Sequence, residues 1–359
     1  MCTSLLYTDA QGGAYAGRTM ELPMELPYAV SYFPTGTHFH SIAPQHPALD
    51  FQSRYAFLSV TVPNPVAKTS VVVEGINEAG LSFSLLAFAS TEGPQDMLDK
   101  TQSALAAVDL GAWTLGNFQN VAEVQAALQR QPVLVTALLP LGLMKTPFHY
   151  TLHDASGASI VIEFSQGQQN VIDNPLGVMT NGPEFQWHMT NLNNYTFLSN
   201  KDQSQLTLNG VRFQQPDSGI ATVALPASNT SVGRFVRAVY YAHFTEKAKT
   251  TAQAISTLAH VMNNFDRPRG ITIDERFKSS AQDLAAPSVH GHPLYISEYT
   301  SWTALTDLQQ RQLYLRSYDA INYIALDLKS LTSSTTPRSL PLKQLQLLGA
   351  DAQQTLAAA

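Results

Sequence analysis

The side chain with the most chemistry to offer is Cys2, the one cysteine among 359 residues. It stands directly behind Met1, so loss of a single residue leaves it carrying both a thiol and a free α-amine. An unperturbed α-amine titrates at about 7.7–8.0, so near neutral pH part of it is free base. It can then take the proton of its own thiol, directly or through one water, with no histidine involved. The small residue behind Met1 leads us to expect that Met1 is removed. Two blander uses of a lone cysteine stand beside this one. It packs well as a small buried hydrophobe, and it can carry a lipid, although no apolar leader with a small-residue cleavage site precedes it.

A nucleophile needs support, and three further residues offer it. Arg18 beside the thiol would favour thiolate, and Glu21 would anchor the α-ammonium. Asn181, in Thr180-Asn181-Gly182-Pro183, carries amide donors at the end of an expected strand, where they suit a developing oxyanion. Each has an ordinary alternative: a surface Arg and Glu, and an Asn satisfying its own turn. His38, His40 and His46 have no cysteine or acidic partner at a metal spacing, so no metal is expected. His149 and His153 sit in an expected strand, where a spacing of four puts them on one face as structural filling.

For Arg18 and Glu21 to reach Cys2, the chain has to fold back. Cys2–Thr8 reads as a strand, 9–13 as a turn and Ala14–Glu21 as the returning strand. Residues 22–52 read as irregular apart from a strand at Ala29–Phe33. Strands follow at Tyr55–Val62, Thr69–Val73 and Leu81–Phe88, with 75–80 as a turn. Helical periodicity runs from Gln95 to Ala127, with Asn120 and Glu123 at capping-box spacing. Phe148–His153 and Ser159–Ser165 flank a hairpin turn. A strand ends at Thr180, and 196–229 is polar and loop-like. Ser231–Phe244 and Thr251–Asn263 read as helices, and Tyr295–Ala304, Leu313–Tyr318 and Ile321–Leu328 as strands. From Ser333 onward the tail looks peripheral. This order favours an α+β fold with antiparallel sheets over a parallel, doubly wound one.

Composition narrows the function. Apolar residues make up 44% and charged residues 13%, with a net charge of −6 and a pI near 5.9. No basic stripe suits nucleic acid. The longest apolar run, 133–144, is too short to span a bilayer and holds Pro140 and Gly142. No basic leader opens the sequence. The compartment stays open: cytoplasm for the chain as written, periplasm if Met1 stands in for a removed leader. A phosphate loop, HExxH and GxSxG are all missing.

Five segments, taken in order, resemble the choloylglycine hydrolase family of N-terminal-nucleophile hydrolases, which holds conjugated bile salt hydrolases and penicillin V acylases. They are Met1-Cys2-Thr3, Gly17-Arg18-x-Met20-Glu21, Gly75-x-Asn77-x-x-Gly80-Leu81, Thr180-Asn181-x-Pro183-x-Phe185-x-Trp187-His188 with Asn191-Leu192-Asn193-x-Tyr195, and Arg234-Phe235-x-Arg237. The similarity runs from Cys2 to about Leu328. It implies an αββα four-layer sandwich of two antiparallel sheets between helical layers, formed by a single domain over 1–332. It also implies a homo-oligomer, with a tetramer favoured and an assembly extension around 196–229, and leaves 333–359 as a peripheral tail.

The resemblance further implies a cofactor-independent hydrolase of small-molecule linear amides. Cys2 would be nucleophile and, through its amine, base. Arg18 would support the thiolate, Asn181 the oxyanion, and Arg234 the catalytic constellation and developing charge. Glu21 stands where the family has Asp, and Ala87 where bile salt hydrolases have Asn. Ala87 offers a backbone N–H or a pocket wall in place of a side-chain donor. The small residue favours slim acyl groups, as in penicillin V or N-acyl homoserine lactones, with conjugated bile salts as the alternative. A catalytically inactive relative serving as a binding or structural protein is the alternative of another class.

Overall fold

A computed structural model describes residues 1–64, 69–94, 99–138, 144–145, 147–273, 297–348 and 352–359. Fourteen strands make its two large sheets. In chain order they are β1 (Cys2–Thr8), β2 (Ala14–Leu22), β3 (Ala29–Phe33), β4 (Phe57–Asn64), β5 (Thr69–Asn77), β6 (Ser82–Ala87) and β7 (Phe148–His153), followed by β8 (Ser159–Ser165), β9 (Gln168–Asp173), β10 (Val178–Met179), β11 (Tyr299–Asp307), β12 (Gln312–Ser317), β13 (Ile324–Asp327) and β14 (Arg338–Pro341). The first sheet has the order β10-β1-β2-β11-β12-β13 and the second β9-β8-β7-β6-β5-β4-β3-β14. Every pairing in both is antiparallel. Helices α1 (Leu110–Asn117) and α2 (Val121–Leu128) go with the second sheet, and α3 (Phe185–Asn191) follows β10. Helices α4 (Ser231–Phe244) and α5 (Thr251–Asn263) pack on the first sheet, and α6 (Leu342–Leu348) and α7 (Ala352–Ala358) close the chain. The αββα sandwich of the α+β class is therefore present.

Strand composition explains the layering. In β1 the residues alternate between two buried surroundings, so the strand has no solvent face and reads as a near-continuous apolar run. Leu5, Ala14 and Val178 pack with Leu258 and Met262 of α5 and Phe235 of α4 in one core, while Phe83, Tyr150 and Phe164 pack with Leu110 and Leu115 of α1 in another. Two glycines of the sequence motifs mark close approaches. A Cβ on Gly17 would stand 2.7 Å from Met262 Sδ, so α5 lies directly on β2. Gly80 turns with φ +94°, and a Cβ there would stand 2.6 Å from the Leu308 carbonyl oxygen. Asn77 completes that turn. Its Oδ1 accepts from Ala79 and Leu81 N–H at 3.0 Å each, and its Nδ2 donates to the carbonyls of Leu115 and Phe118 at 2.9 and 2.7 Å.

Several expectations need correcting. Residues 22–52 are not irregular beyond β3: His38–Ser41 pairs with Leu49–Gln52, and Phe39 stacks on Phe51 across the pair at 5.2 Å. The flanking histidines and prolines hid this aromatic alternation. Residues 75–77 continue β5 before the turn, and Asn120 does cap α2 by accepting from Glu123 N–H at 2.9 Å. The helical run was drawn too long, because Leu105–Ala106 is extended and the helix starts only at Leu110; its expected start at Gln95 lies outside the described residues, as does Tyr295. Strand β9 was missed, its polar sequence being that of a half-exposed edge. Residues after Ser333, expected to be peripheral, supply edge strand β14 on β3 and bury Leu340, Leu342, Leu345 and Leu356.

Candidate active site

Antiparallel pairing of β1 and β2 sets Cys2 opposite Met20 and Ser4 opposite Arg18. Because side chains alternate across a strand, Cys2, Ser4, Arg18 and Met20 share the face toward the second sheet, and Thr3, Thr19 and Glu21 the face toward α4. Strand β10 pairs with β1 through Ser4 and Met179, so the chain two residues later passes beside Cys2 and delivers Asn181. The structure thus brings Cys2, Arg18, Asn181 and Arg234 together from four parts of the chain.

On the inner face, Arg18 Nη2 lies 3.5 Å from Cys2 Sγ. The guanidinium also donates to the Leu85 carbonyl, stacks over Trp302 at 4.7 Å and is 1% exposed. Behind the strand, Arg234 on α4 is wholly buried. It donates to the Cys2 carbonyl, to Thr3 Oγ1 at 2.7 Å and to Asn181 Oδ1 at 2.6 Å. Burial lowers its affinity for the proton, and Glu21 works against that; a guanidinium remains charged in either case.

Asn181 receives the Cys2 N–H on Oδ1 at 2.8 Å and donates Nδ2 to the Ala87 carbonyl at 2.7 Å. One Nδ2 hydrogen is thereby committed and one remains. Its backbone is held on both sides. Ser231 Oγ accepts from Asn181 N–H at 2.9 Å, His188 Nε2 reaches the Asn181 carbonyl at 2.8 Å, and His149 Nε2 reaches the Thr180 carbonyl at 3.1 Å. Glu163 pairs with His149 Nδ1 at 3.0 Å and accepts the Phe185 N–H that opens α3. His149 therefore does more than fill space, and His153, pushed down to about 4 by burial, stays neutral against Ser4.

Glu21 does not meet Cys2 as expected. Its backbone carbonyl accepts the Met1 α-amine at 2.5 Å, and its carboxylate is buried with Thr300 Oγ1 at 3.4 Å. Burial raises its carboxyl above the usual range, and Arg234, the α-ammonium, Thr19 and Arg18 oppose that rise. Met1 still occupies the chain end and reaches Glu298 Oε1 at 3.7 Å. The nearest acceptor to the Cys2 nitrogen is Asn181, a role that sequence reasoning did not assign.

Sequence reasoning also missed Glu74 on β5. Its Oε2 lies 3.8 Å from Arg18 Nε, with both side chains at most 2% exposed. Burial raises its carboxyl to about 7 despite Arg18 and Ser84. Only its place in an otherwise apolar run, Val71-Val72-Val73-Glu74, signalled it.

Beside Sγ lies a cavity of about 110 Å³ lined by apolar side chains, among them Met20, Val71, Leu85, Ala87 and Phe148. It shares Leu26, Tyr28 and Pro63 with a second, more open cleft of about 600 Å³ toward β12 and β14. Among the described residues no group of three or more His, Cys, Asp or Glu is placed to hold a metal, and no helix is long and apolar enough to cross a membrane.

Comparisons with known proteins agree with this geometry. The family described as linear amide C–N hydrolases, choloylglycine hydrolase family, matches residues 2–283. A conjugated bile acid hydrolase of Lactobacillus gasseri is 31% identical over 252 residues, covering 67% of this chain and 74% of that protein. A penicillin V acylase of Pectobacterium atrosepticum is 25% identical over 346 residues, covering 92% and 81%. The crystal structure of the C2A mutant of a conjugated bile acid hydrolase from Clostridium perfringens superposes with a TM-score of 0.79 at 22% identity. It covers 95% of this chain and 96% of that one, and so shares the fold.

Proposed function

The chain belongs to the choloylglycine hydrolase family of linear amide C–N hydrolases, and on that premise we propose that Cys2 carries the reaction once Met1 has been removed. The observation that carries the reading is the setting of Cys2: Sγ 3.5 Å from Arg18, the cysteine itself lining an apolar cavity, and its nitrogen donating to Asn181 Oδ1. The freed α-amine takes the thiol proton, and sulfur attacks the amide carbonyl. The remaining Nδ2 hydrogen of Asn181 supports the oxyanion; a donor in this role is worth roughly 3–4 kcal/mol. Collapse breaks the C–N bond, and the α-ammonium returns its proton to the leaving amine. Water, deprotonated by the same amine, then cleaves the thioester, releasing the acid and restoring the thiol. Arg234 fixes Asn181 and the strand end, and Glu21 holds the α-ammonium by charge.

Cavity size favours slim acyl groups. About 110 Å³ falls short even of the roughly 150 Å³ cavity known to take benzene, so a slim alkyl chain suits it best, a phenyl group requires the lining to move, and a four-ring steroid is far too large. The apolar wall at Ala87 would also leave steroid hydroxyls unpartnered. Phenoxyacetyl amides, as in penicillin V, and N-acyl homoserine lactones should therefore outpace conjugated bile salts. The adjoining cleft of about 600 Å³ favours the second reading, bile salt hydrolysis, if the ring system lies there. The test is kcat/KM on one panel of the three substrate classes; a higher value on glycocholate than on every acyl lactone and phenoxyacetyl amide overturns the order.

The extension at 196–229 supports an oligomer of one-domain subunits. It carries a hairpin, Gln205–Leu208 with Val211–Gln214, whose Leu206, Leu208, Val211 and Phe213 are each 54–56% exposed. A second copy of the chain covering these side chains would bury them, with a tetramer as the expected assembly.

A further inference from the structure

Arg18 is one cation facing two acidic groups. Its Nη2 stands 3.5 Å from Cys2 Sγ, and its Nε stands 3.8 Å from Glu74 Oε2. Neither Arg18 Nε nor Glu74 Oε2 makes a hydrogen bond among the described residues. A buried donor and a buried acceptor that face one another without a hydrogen bond are costly as structure alone. The second sheet also brings Glu74 to Arg18 from a stretch whose neighbours, Val71, Val72 and Val73, are apolar and buried.

We propose that Glu74 is a positioning residue that tunes the Cys2 thiol by competing with it for the charge of Arg18, an assignment that rests on Cys2 being the nucleophile. When Glu74 is ionised it neutralises Arg18 and withdraws support from the thiolate. When it is protonated the whole guanidinium charge serves sulfur. The two groups therefore titrate as a pair, each ionisation making the other harder. Glu74 changes charge near neutral pH, about 7, where the enzyme has to hold a thiolate.

The Cys2 α-amine also titrates beside the thiol, but it is present in every variant compared, so the difference between variants reads Glu74. Against Glu74 stand Arg18 from β2, the Ser84 hydroxyl from β6 and uncharged Val60 from β4. Against Arg18 stand Cys2 from β1, Glu74 from β5, Trp302 from β11 and Tyr28 ahead of β3, whose phenol burial holds protonated. Glu21 and Arg234 lie on the opposite face of the first sheet, where Arg18 is the last of the influences on the Glu21 carboxyl, and His153 is neutral.

The test reads the thiol directly, so it is independent of turnover. Ultraviolet thiolate absorbance of the Met1-free protein is titrated as a difference against Cys2→Ser, and the single cysteine makes the signal unambiguous. In the wild type the curve should be broader than one group gives. In Glu74→Gln it should become narrower, keeping only the breadth that the Cys2 α-amine imposes, with a midpoint lower by on the order of one pH unit. Ser84→Ala, which removes a bond favouring ionised Glu74, should move the midpoint the same way by less. A folded Glu74→Gln with the wild-type midpoint and breadth overturns the proposal. If that variant does not fold, an unmoved midpoint in Ser84→Ala does so instead. Hydrolysis by the same variants separates this failure from a failure of the nucleophile assignment: only the latter leaves Cys2→Ser active.

Discussion

Around Cys2 the chain hides what proteins normally leave in water, and at the 205–214 hairpin it leaves in water what they normally hide. Arg18, Glu21, Glu74 and Arg234 are at most 1% exposed, whereas Leu206, Leu208, Val211 and Phe213 are more than half exposed. Both arrangements cost stability when taken alone. At the site the cost is offset by pairing: every buried charge there has an opposite charge or a carbonyl within reach. The hairpin has no such internal remedy, since its two strands pair only with each other. On the reading proposed above, what offsets its cost comes from a second copy of the chain. On the same reading one departure from the usual distribution goes with chemistry and the other with a contact, and both can be tested.

Four experiments press on this contrast. The largest effect should follow Cys2→Ser, in which folding is retained and kcat/KM falls by at least about 10³-fold, an alkoxide being much harder to form than a thiolate. Near wild-type turnover in that variant, with Met1 shown absent by intact mass, removes the chemistry from the buried cluster. Next, Asn181→Ala should lower kcat by about 10²–10³-fold with little change in KM. A change in KM alone would make Asn181 a binding residue.

A smaller effect belongs to Glu21→Gln. Wherever Glu21 is ionised it favours the α-ammonium, so removing the charge disfavours the protonated amine and moves the ascending limb of the kcat profile to lower pH. Burial already raises the Glu21 carboxyl, so the shift should be largest above its folded titration point and vanish below it. An unmoved limb would mean that Asn181 alone orients the amine. Least affected in activity should be the paired change Leu206→Ser and Phe213→Ser. It should leave kcat/KM within about 2-fold while lowering the mass measured by light scattering, surface changes of this kind being nearly neutral for the folded subunit. An unchanged mass would separate the exposed hairpin from assembly.

The contrast also sorts what could be read from the sequence. Helices α4 and α5 and strands β1, β3, β7 and β8 coincide with their expected spans because period and punctuation agree there. The Gly17, Asn77-x-x-Gly80 and Thr180-Asn181 motifs were legible as segments, and their reasons are packing against Met262, a turn lodged under Leu308, and a clamp by His149 and His188. Glu74 was not legible. Its meaning depends on the second sheet lying face to face with the first, and no local pattern states which faces meet. Glu21 was legible as a site residue but not in its contact, because the pleat turns its carboxylate to the α4 side. The tail escaped for a related reason: β14 finds its partner β3 some three hundred residues back along the chain.

The bond from Arg234 to the Cys2 carbonyl joins residues 232 positions apart, and this has a consequence in time. Synthesis proceeds from the N-terminus at about 5–20 residues per second, so the cysteine leaves the ribosome some tens of seconds before the helix that completes its surroundings. Until Arg234 emerges, its bonds to the Cys2 carbonyl and to Asn181 cannot form. The first atom of the site to be made is thus the last to have its surroundings completed.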